Sequence, residues 1–66
     1  MYTYQESLDQ IETLIDRHGL ETVLQMITFV CQEKADHIMV SYSDESLARA
    51  WQANGRLVQR IELKPV

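Results

Sequence analysis

An all-α fold is predicted for this 66-residue chain: a compact three-helix domain spanning residues 1–66, with a tight hairpin between the first two helices and a surface suited to homodimer assembly. Three observations predict it. Apolar residues recur at three- and four-residue spacing in three separate stretches, the signature of amphipathic helices. Arg17, His18 and Gly19 form a helix stop, with basic side chains in the last turn and a glycine able to take positive φ. A polar run at 41–45, Ser-Tyr-Ser-Asp-Glu, separates the second apolar stretch from the third.

Helix 1 is expected over about 7–18. Ser7 followed by Gln10 resembles a capping box, and Leu8, Ile11, Leu14 and Ile15 define the face to be buried. Asp9, Glu12 and Asp16 gather on the opposite side. Before it, Tyr2 and Tyr4 belong either to a short ordered arm or to a tail. The Gly19 junction leaves almost no loop, so helices 1 and 2 should form an αα-hairpin.

Helix 2, about 21–39, is the element around which the others are arranged. At 100° per residue Leu20, Leu24, Ile27, Cys31, Ala35 and Ile38 fall in one stripe, and Val23, Met26 and Val30 widen it to about half the circumference. An arc of that width implies two neighbouring helices, or one neighbour and a second subunit. Phe29 falls outside the arc, among Thr22, Gln25, Gln32, Glu33 and Asp36. An aromatic residue ringed by polar ones fits an interface hot spot, although folded-core contact and incidental exposure are the alternatives.

Two caps compete for the start of helix 3, Ser41 or Ser43, of which Ser43 is preferred. The helix, about 44–62, places Leu47, Ala50, Trp51, Asn54, Leu57, Val58 and Ile61 on one face. Gly55 interrupts it at a cost of about 1 kcal/mol relative to alanine. A kink is the corresponding expectation, but the periodicity continues in phase and favours one helix. Residues 60–63 alternate as a strand would, a minor reading that needs a partner strand.

The run LIDRHGLETVLQMITFVCQEKADHI, followed after a spacer by LARAWQANGRLVQRI, resembles a type of small bacterial hypothetical protein common in cyanobacteria and proteobacteria. In that type a glycine-leucine junction precedes a helix with a cysteine-and-glutamate centre and then a tryptophan-bearing last helix. The resemblance covers Leu14 to Ile38 and Leu47 to Ile61. It implies the helical fold and no catalytic residue.

Composition narrows the function classes. One cysteine makes no intramolecular disulfide, and no four-ligand metal site or cofactor motif is readable. The usual staples of very small folds are therefore missing, and oligomerisation is the remaining means of stabilisation. No apolar run approaches the length of a membrane span and no signal segment opens the chain, so the expectation is a cytoplasmic protein without a membrane role.

The formal net charge is −4, unevenly distributed. Residues 1–45 carry nine carboxylates against Arg17 and Lys34, a net −7, whereas 46–66 carry Arg49, Arg56, Arg60 and Lys64 against Glu62, a net +3. The acidic ridge of helix 1 (Asp9, Glu12, Asp16) and the basic ridge of helix 3 (Arg49, Arg56, Arg60) are solvated faces or complementary surfaces for a partner.

Single residues offer little chemistry. Cys31 lies in the apolar stripe, where a neutral thiol behaves as a small hydrophobe, and His37 stands about 120° around the helix from it. Glu33 and His37, one turn apart, make two metal ligands at most. His18 suits a capping or packing role at the helix 1 terminus, and Trp51 is expected as the large core residue. The sequence thus predicts a small non-enzymatic interaction or accessory module that self-associates, with Phe29, Met26 and the two charged ridges as interface candidates and another protein as a further partner. The alternatives are a nucleic-acid-associated regulator using Arg49, Arg56 and Arg60, which the acidic remainder opposes, and a small metal- or ligand-binding protein.

Overall fold

The first helix begins one turn before the expected Ser7. In the computed structural model, which describes residues 2–65, α1 spans Tyr4–His18 and its N-cap is Thr3. The Thr3 Oγ1 accepts from the Glu6 N–H at 3.1 Å, and Glu6 adds negative charge at the positive end of the helix dipole. Thr3 and Glu6 have the same spacing as Ser7 and Gln10, so the earlier cap wins and Ser7 simply continues the helix.

Gly19 ends α1 and starts α2 (Leu20–Tyr42). Its φ of 85° and ψ of 155° lie in a region essentially restricted to glycine. Its N–H donates to the Ile15 carbonyl at 2.7 Å, while its own carbonyl accepts from Val23 at 3.1 Å. One residue therefore completes both helices, and the tight hairpin junction is as expected.

α2 does not stop at Met39 but runs 23 residues, about 34 Å. Ile38 is buried against α3, so tertiary packing overrides the low helix propensity of the β-branched pair Ile38 and Val40. Ser43 is not the cap of the third helix. It takes the left-handed conformation, φ 52°, and its N–H closes α2 on the Met39 carbonyl. The cap of α3 (Glu45–Gln59) is Asp44, whose Oδ1 accepts from the Leu47 N–H at 3.0 Å.

α3 passes through Gly55 as one helix. The reason for glycine is proximity: a Cβ there would stand 3.2 Å from the Cys31 Cβ and 3.6 Å from the Thr28 carbonyl oxygen. Ala48 and Gly55 on α3 face Cys31 and Ala35 on α2, and all four are buried. This seam turns α3 by about a quarter of its circumference from the expected orientation. Ala48, Trp51, Gln52, Gly55 and Val58 face inward, while Leu47, Ala50, Asn54 and Leu57 are exposed. The helix also ends at Gln59, short of 62, and no strand forms among the described residues, so 60–63 does not pair.

Val23, Cys31, Ala35, Ile38 and Ala48 are the buried apolar residues, and no large side chain is fully buried among the described residues. α1 buries none of its residues: Leu8, Ile11 and Leu14, expected inside, are exposed, and Ile15 is half-buried. The physical reason is that, of the other two helices, α1 packs on α2 and not on α3. The three-helix domain is consequently flattened, 39 × 31 × 15 Å, with a radius of gyration of 14.0 Å. A spherical domain of the same length would have about 11 Å.

Two substitutions test this architecture. Gly55→Val should force the seam apart and cost about 1–3 kcal/mol in denaturant unfolding. Asp44→Ala should cost about 1 kcal/mol, with Asp44→Asn restoring most of it because the amide oxygen can still cap.

Candidate interaction surfaces

Three surfaces concentrate the chemistry of the molecule. The first contains Phe29. Its side chain remains 70% exposed, beside a groove of about 440 Å³ bordered by Leu24, Thr28, Val58, Ile61 and Leu63. Glu21, Gln25, Gln32 and Gln59 supply its polar margin. The end of α3 and the segment after it thus place apolar residues near an aromatic that looks isolated on the helix 2 wheel. Leu63 borders this groove without belonging to any helical apolar stripe, and the alternation at 60–63 is the only signal the sequence carries for it.

A second, shallower groove of about 360 Å³ lies on the other side of the α2–α3 seam, lined by Val30, Glu33, Lys34, His37, Ile38 and Trp51. Trp51 is not the enclosed centre of the core. It is half-buried at the seam edge, packed on the Ala35–Ile38–Ala48 cluster, with the Lys34 Nζ 5.6 Å from its ring centroid. The small residues of the seam fill the interior instead, so the indole covers the margin and its ring face attracts the ammonium.

His37 is engaged along its own helix. Its Nδ1 is 3.5 Å from the Ser41 hydroxyl, and its ring meets Tyr42 edge to face at 6.1 Å. Among the described residues no three His, Cys, Asp or Glu side chains gather as a metal site. Cys31 is buried against Gly55 and faces neither groove. His18 is exposed at the end of α1.

The third surface is formed by α1 and the flank of α2 that carries Met26. Leu20, next to the junction, is 38% exposed and Val23 is buried at 5%, while Met26, Ile27 and Val30 are 37%, 41% and 50% exposed. On α1 the half-buried Ile15 is followed outward by the exposed Leu14, Ile11 and Leu8. Both helices leave an apolar row uncovered.

The charged ridges frame these surfaces. Asp9, Glu12 and Asp16 are exposed, with the Gln5 amide donating to Asp9 at 2.9 Å. Arg49 pairs with Glu45 one turn before it, a solvated ion pair of small energetic value, and Arg56 and Arg60 are exposed farther along. No helix among the described residues is long and apolar enough to cross a membrane.

The fold and these surfaces define an all-α three-helix domain with open apolar faces. Compared with protein-family models, curated proteins and solved structures, the chain matches none of them.

The position of Cys31 makes a direct prediction. Its reaction with a thiol reagent should be slowed at least about 100-fold relative to the unfolded chain, since attack requires opening of the α2–α3 seam. A native rate equal to the denatured one would place the thiol at the surface.

Proposed function

We propose that this chain is a self-associating helical interaction module, working as a homodimer and not as an enzyme. The observation that carries this reading is the area left uncovered. The chain exposes 5788 Å². A compact monomer of 7.7 kDa would expose about 4,300 Å², so the excess is about 1,500 Å². A standard protein interface removes about 800 Å² from each partner. A second layer of helices would complete a core that one flat layer cannot enclose.

The grooves support binding more than catalysis. Neither brings a nucleophile together with a base and a third group to orient it, the geometry that activated side chains require. The basic ridge supports a role in partner choice: Arg56 and Arg60 belong to the positively charged end of the chain and the carboxylates of α1 to the negative end, which favours ordered encounter between copies. Use of that ridge on nucleic acid has less support, because Arg49 is already paired with Glu45 and the net charge is −4.

Sedimentation equilibrium from low micromolar to millimolar concentration tests the reading. The expected mass is that of two chains, falling toward 7.7 kDa on dilution, with a thermal midpoint that rises with concentration. A helical monomer at every concentration would overturn it.

A further inference from the structure

The uncovered area includes one complete helix face, that of α1, which buries none of its residues. α1 meets α2 but not α3, so the two helices, joined at Gly19, are the walls of a wedge whose apolar residues Leu8, Ile11, Leu14, Met26, Ile27 and Val30 stay 37–50% exposed. Leu8, Ile11 and Leu14 line one wall; Met26, Ile27 and Val30 lie together on the arc of α2 that forms the other. α3 does not reach α1 and so does not fill the gap.

We propose that a second copy of this chain fills the wedge, related by a two-fold axis, with the α1 of each copy lying along the Met26–Val30 flank of the other. The inference rests on the self-association reading above and assigns its surface. The occupant must be a helix with an apolar stripe at three- and four-residue spacing, and α1 is such a helix: Leu8, Ile11 and Ile15 recur at that spacing. A two-fold contact requires the same surface on both copies to be complementary to itself. Here the exposed stripe of α1 finds its cover on the α2 of the partner, and the exposed Met26–Val30 flank finds its cover on the α1 of the partner.

The charges agree with this seating. Asp9 and Asp16 lie on the side of α1 away from the stripe, and Glu12, one turn from Leu8 and Ile15, stands at its margin, where the carboxylate stays in water. The identity of the occupant follows from the poverty of the single-chain core. With no large side chain fully buried among the described residues, the cover must be present whenever the chain is folded. The molecule always present with a folded chain is another copy of it. The excess of about 1,500 Å² per chain is ample for a stable dimer, which needs about 800 Å² from each partner.

Ile11→Glu and Phe29→Glu, compared with the unaltered chain by sedimentation equilibrium, test the assignment. Ile11→Glu should raise the dimer dissociation constant at least about 100-fold, and Phe29→Glu should change it less than about 5-fold. If the unaltered chain is a monomer, the self-association reading itself fails. If it is a dimer that Phe29→Glu disrupts and Ile11→Glu does not, the wedge assignment alone fails. Should Ile11→Glu not fold, nuclear Overhauser contacts in a dimer of labelled and unlabelled chains decide the matter. Contacts between copies joining the methyl groups of Leu8 and Ile11 to those of Met26 and Val30 are expected; contacts confined to Phe29, Val58 and Leu63 would overturn the assignment.

Discussion

The close crossing of α2 and α3 governs the rest of the molecule. Cys31 and Ala35 on one helix and Ala48 and Gly55 on the other are the small side chains that let the two backbones approach. Close approach increases the number of atom pairs near their optimal separation, and many weak dispersion contacts replace the burial of a few large groups. Its cost is orientation. Once α3 presents Ala48 and Gly55 inward, Leu47 and Leu57 point to solvent, and Trp51 can only lie along the margin beneath Lys34. α1, absent from this crossing, has α2 as its one neighbouring helix among the described residues.

Much of this arrangement was legible in the residues, and what was not has a common cause. The helical class, the three stretches and the single-glycine junction follow from local signals: apolar period, caps and the backbone freedom of Gly19. The orientation of α3 does not, because hydrophobicity ranks Leu47, Leu57 and Ile61 above Ala48 and Gly55, whereas close packing at a helix crossing favours the smaller pair. Local sequence places the cap of α3 at Ser43, one residue early, for a related reason. Ser43 and Asp44 are both good N-cap types, and only the continuation of α2 through Tyr42 assigns the first to a left-handed turn and the second to α3. For the candidate surfaces, Met26 and Phe29 were recognisable on the helix 2 wheel. The apolar wall of α1 carries an equally clear pattern, but local sequence records which face is apolar and not whether the chain itself covers it.

The electrostatic layout is consistent with an element that meets a partner through apolar area and selects it through charge. Exposed ion pairs such as Arg49 with Glu45 contribute little to stability. Their separation into an acidic first helix and a basic last one nonetheless gives the molecule a direction, which influences approach over distances near a Debye length and fades with added salt. Affinity and orientation would then be supplied by different residues.

Gly19 bears on a different matter, the size an assembly can reach. It is the whole covalent link between α1 and α2, and its backbone angles set the opening of the wedge. In the proposed dimer, an opening that directs each α1 back onto the same neighbour produces a closed pair. A wider one would direct α1 onto a third chain, and repetition of that contact would generate an open filament. The dihedral angles of one glycine thereby separate a particle of fixed stoichiometry from a polymer.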